Sequence, residues 1–122
     1  MDRDYPYRIE RSPTKRWFIY VLMEPDGGDV FYVGQSTRPR QRLTQHINEA
    51  KCLLRRGVIG ERREYQRIAD ILSMGNEPEM WVMTKCRTQT DATAMERILQ
   101  ERLDDGATAL DSFKVDAEKL RG

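Results

Sequence analysis

What this 122-residue sequence offers to chemistry is a small set of tyrosines, arginines, carboxylates and a single histidine. The stretch FYVGQSTRPRQRLTQH, Phe31 to His46, holds much of it: Tyr32, Arg38, Arg40, Arg42 and the lone His46. Arg42 and His46 are separated by one helical turn, which makes them neighbours on one face of a helix. That face lies about 100° from the apolar stripe Leu43, Ile47, Ala50 and Leu54, at the edge of the buried surface rather than in it. A pair so placed can line a cleft, or His46 can be an ordinary surface or satisfied core residue. Glu96 has a similar logic on a later helix, between Ala92 and Leu99. A carboxylate held near a core is costly unless it is paired or coordinates a cation. A salt bridge to one of the many arginines, or a capping box running from Thr93 to Glu96, would serve it as well as a metal. Tyr20 and Tyr32 fall in two apolar runs, where a tyrosine either packs with its hydroxyl in solvent or presents that hydroxyl to a site.

Other constellations are missing. The sequence has no glycine-rich phosphate loop, no His/Cys metal cluster and no Ser-His-Asp set, and one histidine rules out most zinc sites. Net charge is only +1, but it is unevenly spread: between Gln35 and Arg67 nine basic residues face three acidic ones, a surplus of six. Such a segment is the electrostatic footprint of phosphate binding, or else a pair of solvated helix faces. Cys52 and Cys86 lack paired ligand spacing and read as buried free thiols of a cytoplasmic protein. No apolar run approaches the ~18 residues of a membrane span, and MDRDYPYRIERSPTKR has no apolar core of a signal peptide.

Several elements must position these groups. Residues 1–16 read as an irregular arm. Trp17–Met23, WFIYVLM, is an aromatic and β-branched strand buried on both faces. EPDGGD supplies turn chemistry, and VFYVG returns antiparallel. Pro39 opens a helix; RRGVIG ends it, and a second helix turns Tyr65, Ile68, Ala69 and Leu72 inward as far as SMGNEP. EMWVMTKC is a third strand. Asp91 caps a third helix with Ala92, Met95, Leu99 and Leu103 inward. From Asp104 the chain is a polar tail with a short helix from Val115 to Leu120. The order β-β-α-α-β-α defines a small α/β (α+β) domain over 17–103, a short mixed or antiparallel three-stranded sheet flanked by helices.

In order and spacing these residues resemble the GIY-YIG nuclease family. The first signature stands here as Phe18-Ile19-Tyr20 and the second as Tyr32-Val33-Gly34, followed by Gln35-Ser36-Thr37, Arg42, His46 and, on a late helix, Glu96. Phe18 stands where the signature has its first glycine. The asparagine many members carry after the glutamate helix is absent, since no asparagine follows Asn76.

The resemblance implies a metal-dependent endonuclease that hydrolyses phosphodiester bonds in DNA. Glu96 would hold one Mg²⁺ or Mn²⁺, Arg42 would stabilise the phosphate, and Tyr20 or Tyr32 would activate water with help from His46. Gly34 would give the chain room to turn. Arg38 and Arg40 would add phosphate contacts, with Arg55 and Arg56 further along the basic helix. A chain with no room for an appended DNA-binding module implies low sequence specificity, a structure-specific substrate, or a dimer or larger homo-oligomer. The competing reading, motivated by Phe18 and the missing asparagine, is a degenerate domain that binds nucleic acid or protein without cleaving.

Overall fold

The sheet owes its arrangement to the one run in the chain that is apolar at every position. A computed structural model describes residues 16–57 and 63–114, and in it the expected order is found. β1 (Trp17–Met23) and β2 (Val30–Ser36) precede α1 (Pro39–Arg56) and α2 (Arg63–Ser73); β3 (Glu79–Cys86) and α3 (Gln89–Asp104) follow. β1 is buried at all but its first residue and takes the centre of a sheet ordered β2-β1-β3. Both pairings are antiparallel. Between strands, Asp26 and Gly27 take left-handed φ of 62° and 76°, the conformation that suits a tight hairpin connection. The backbone N–H of Asp26 donates to Glu79 Oε2 at 2.8 Å, tying this turn to β3.

Because successive strand residues face opposite sides, β1 feeds two cores. Ile19, Val21 and Met23 join Val30, Val33, Met83 and the α3 residues Ala92 and Leu99. Phe18, Tyr20 and Leu22 join Ala50 of α1, Tyr65 and Ile68 of α2, and Met80 and Val82. The sheet is therefore sandwiched between α3 and the α1/α2 pair. Phe18 lies in the second of these cores at 6% exposure, so the large residue at the glycine position of the signature is used for packing.

Two irregularities in the ladder sit beside the two signature tyrosines. Leu22 pairs with Tyr32 and Met23 with Val30, which leaves Phe31 as the extra residue of a bulge. Ile19 pairs with Thr84 and Tyr20 with Val82, which leaves Met83 as the extra residue of another. A bulge re-aims neighbouring side chains and increases local twist; at Phe31 it lets both Phe31 and Tyr32 pack toward the α1/α2 core.

Several expectations need correction. α3 begins at Gln89 rather than after Asp91, because Thr88 is the N-cap: its hydroxyl accepts from the Asp91 N–H at 3.1 Å. Thr93 and Glu96 are therefore inside the helix and form no capping box. On α1 the inward stripe holds through Ala50 but not at Leu54, which is 46% exposed; Leu53 takes the inward place, as a 3.6-residue period permits. The two cysteines are free, but half-buried rather than buried.

The stretch from residue 104 also does more than a polar tail would. Val30 N–H donates to Thr108 O at 2.8 Å at the start of the outer edge of β2. Phe113, wholly buried, completes the α3-side core with Ala107 and Leu110 packed against it. The arm over 1–15 and the helix expected at Val115–Leu120 lie outside the described residues. Among those described, no helix is long and apolar enough to cross a membrane.

Candidate active site

Strand register decides that the tyrosines meet. Tyr20 pairs with Gly34 and Tyr32 with Leu22, so Tyr20, Gly34 and Tyr32 share the α1/α2 face. The two phenol rings lie 6.2 Å apart, centroid to centroid. Gly34 is what lets them come together. It lies within β2, not at a turn, so its expected role in turning the chain is replaced by a steric one. A Cβ there would fall 2.6 Å from Cζ and from the hydroxyl oxygen of Tyr20, and 2.9 Å from Cε2 of Tyr32. These are rigid, packed rings that cannot swing away.

α1 brings the next residues. His46 is 1% exposed, deeper than the edge position its spacing suggested. The reason is α2, whose buried Tyr65 packs on the imidazole with centroids 6.1 Å apart. On its other sides the imidazole meets Tyr32 and Tyr20 edge-on, at 5.1 and 6.1 Å. The Tyr20 hydroxyl and His46 Nε2 are 2.9 Å apart in the buried interior, and the imidazole tautomer decides which of them donates.

Arg42 lies one turn earlier on the same face, partly buried, with its guanidinium donating to Gln45 Oε1 at 3.2 Å. It belongs to a polar pocket of about 290 Å³ lined by Ser36, Thr37, Arg38, Gln41, Arg42 and Gln45. The first turn of α1 holds no acidic residue, and Pro39 starts it. The positive end of the helix dipole and Arg42 therefore act on one small volume, an arrangement that favours an anion.

The environments of the two tyrosines differ. Tyr20 is 1% exposed, while Tyr32 is only half-buried. Burial, and then Tyr32, push the Tyr20 phenol well above its usual range, with Arg42 pulling the other way. Burial also raises Tyr32; Arg42 opposes it, and the carboxylates of Glu64 and Glu96 add to the rise. Left to these residues, both phenols are neutral at physiological pH.

Glu96 projects from α3, on the opposite side of the sheet, yet its charge is felt at Tyr32. The edge strand β2 is where the two layers meet. Glu96 is half-buried and, among the described residues, makes no ion pair, so the salt bridge that could have explained it is not formed. No group of three or more His, Cys, Asp or Glu gathers to hold a metal among the described residues. An oxygen site resting on one carboxylate is a different case, and it suits a hard cation that keeps most of its water.

The structure thus gathers Tyr20, Tyr32, Arg42 and His46, with Glu96 across the β2 edge. Arg38 and Arg40 are exposed at the near end of α1. Arg55 and Arg56 are exposed too, but they occupy its last turn, about 25 Å away at 1.5 Å per residue. Sequence reasoning missed Tyr65 and Glu64 as neighbours of the site. Tyr65 had its inward direction in the helical period, but nothing local names His46 as its contact.

The family model for the GIY-YIG catalytic domain matches residues 16–106. The chain belongs to the GIY-YIG family. The nucleases of this family act on DNA and generally depend on a divalent metal. No curated protein and no solved structure matches the chain significantly. In this GIY-YIG domain the signature glycine of the second tripeptide, Gly34, is retained at the ring contact, whereas the first, at Phe18, is not.

Proposed function

We propose that this GIY-YIG domain is a metal-dependent endonuclease that hydrolyses phosphodiester bonds in DNA. The observation that carries the reading is Tyr32: a half-buried phenol backed by His46 and Tyr20, with Arg42 and Glu96 both acting on it.

Tyr32 rather than Tyr20 is the group that meets the attacking water, because Tyr20 is shut in the core with its hydroxyl against His46. Arg42 holds the scissile phosphate with its planar fork of donors, and stabilises the charge added as the water oxygen bonds to phosphorus. Tyr32 acts as its phenolate, having first released its own proton to solvent. The phenolate oxygen takes the proton of that water, the phosphorus–oxygen bond to the departing sugar oxygen breaks, and that oxygen takes a proton from solvent. Tyr20 and His46 support the Tyr32 ring from behind and fix where its oxygen points. A Mg²⁺ or Mn²⁺ ion at Glu96 would neutralise phosphate charge and lower the pKa of nearby hydroxyls. The residues present fit it: an oxygen donor without an ion-pair partner among the described residues, beside phenols that protein groups alone keep neutral. Arg38 and Arg40 extend the phosphate contacts, and Arg55 and Arg56 reach only flanking backbone. Contacts of this kind position a protein without reading sequence.

The test is incubation of supercoiled plasmid with the protein and Mg²⁺, beside Glu96→Ala and Arg42→Ala. Metal-dependent nicking lost in both variants is the expected result. Absence of cleavage under any metal, with salt-sensitive DNA binding retained, sinks the proposal in favour of the degenerate binding module that Phe18 and the missing asparagine favour.

A further inference from the structure

We propose that Gln35 is a positioning residue for the divalent cation at Glu96, offering its side-chain oxygen to a water that the cation carries. The inference rests on the reading of Glu96 as the carboxylate that holds that cation. Gln35 follows Gly34 on β2 and pairs with Ile19, so strand alternation turns it to the α3 face, away from the tyrosines. Its amide nitrogen donates to Thr93 Oγ1 at 3.1 Å. Thr93 and Glu96 are one turn apart on α3 and are neighbours on its surface. The amide is thereby fastened close to the carboxylate.

Its other end is unused. Gln35 Oε1 is buried and has no hydrogen-bond partner among the described residues. A carbonyl oxygen removed from water and given no donor is disfavoured, and in a native protein such an atom calls for a missing water or ion. Thr84 Oγ1 is in the same condition, but it lies on β3 opposite Ile19. Gln35 is different because the same amide is tied within a turn of Glu96. A Mg²⁺ or Mn²⁺ ion bound through one carboxylate keeps several waters. Those waters are polarised donors in need of acceptors, and second-layer acceptors of this kind orient a metal site. The structure offers a buried, pre-fastened acceptor on β2, the strand that also carries Tyr32.

Mn²⁺ binding to the full chain without DNA, followed by electron paramagnetic resonance of the free ion, tests this independently of cleavage. Gln35→Met keeps the side-chain length and removes the oxygen; it is expected to weaken Mn²⁺ binding about ten- to a hundredfold, with melting in EDTA unchanged. Thr93→Val, which removes only the tether, is expected to weaken binding less. Gln35→Glu retains an acceptor and should bind Mn²⁺ at least as tightly as the parent; it also serves if Gln35→Met fails to fold. Parent-like affinity in Gln35→Met, or a loss in Gln35→Glu, overturns the proposal and leaves Gln35 as a strut between β2 and α3. Equal Mn²⁺ affinity in the parent and in Glu96→Gln would instead overturn the reading of Glu96 itself, so the two failures are distinguishable.

Discussion

The two faces of the sheet are built from different materials. Against α3 the core is aliphatic apart from the wholly buried Phe113, with Val21, Leu99 and Ala92 each 0% exposed. Against α1 and α2 it contains Tyr20, Tyr65 and His46, each buried, with Tyr32 at its rim. Both faces remove large areas from water, but among the described residues it is the second that gathers phenol hydroxyls and an imidazole. Tyrosine makes that possible, since its ring contributes apolar area while its oxygen needs a polar partner. The difference teaches that the buried centre of the α3 layer is packing alone, while the α1/α2 layer is at once core and wall of the proposed site.

If that division is right, substitutions at Tyr32 and Arg42 on the α1/α2 side should damage cleavage without unfolding the protein, and those among the buried aliphatic residues against α3 should do the reverse. Tyr32→Phe has the largest expected effect on rate, a loss of about 10²–10⁴-fold, with melting close to the parent; single-turnover nicking beside a thermal melt checks it. Arg42→Ala should follow at about 10²–10³-fold, and a parent-like rate would break the assignment of Arg42 to the phosphate. Across the sheet, Leu99→Ala should cost about 2–5 kcal/mol of stability in urea titration, while the rate per folded molecule stays near that of the parent. A rate that collapsed in the folded fraction would show that the α3 core also tunes the site.

Smaller effects sharpen the line between the faces. Gly34→Ala should do harm of both kinds, because its methyl would drive against Tyr20 and Tyr32; overpacking of this sort costs about 1–3 kcal/mol, and moved rings should slow nicking even when the variant is folded. Tyr20→Phe removes the hydroxyl facing His46 Nε2 and with it a buried hydrogen bond, a loss of about 0.5–1.5 kcal/mol. Its rate should fall less than that of Tyr32→Phe.

The pH dependence has a definite sign. Tyr20 is raised above the ordinary phenol value, so it adds stability that is complete below pH ~10. This contribution falls as pH rises from there through the folded value, because the unfolded phenol ionises first. Alkaline melts should therefore show a loss that Tyr20→Phe lacks. Tyr32 is raised as well, so cleavage should climb with pH across the neutral and mildly alkaline range, and Tyr32→Phe should flatten the climb.

Much of this was legible in the sequence, and the exceptions have identifiable causes. Every strand could be read because WFIYVLM, VFYVG and EMWVMTKC carry aromatic and β-branched residues between turn formers. The start of α3 was less clear: Thr88 and Asp91 both suit an N-cap, and the choice turned on whether the Thr88 hydroxyl could reach the Asp91 N–H. The order and spacing of Tyr20, Tyr32, Arg42, His46 and Glu96 could be read from the sequence, but the different surroundings of the two tyrosines could not. They depend on the register that pairs Tyr20 with Gly34 and on the depth at which each ring sits. His46 was misplaced at an edge for a related reason: its burial comes from Tyr65 on another helix, which periodicity along α1 cannot report.

Phe113 carries one more consequence. The family's shared unit ends here at residue 106, but the hydrophobic core does not. A recombinant fragment trimmed to the shared unit would retain Tyr20, Tyr32, Arg42, His46 and Glu96 and yet open a phenylalanine-sized hole beneath α3. The stretch that evolution repeats and the stretch that can hold itself together are not the same length in this protein. Fragments meant for fusion or crystallisation should be cut to the second.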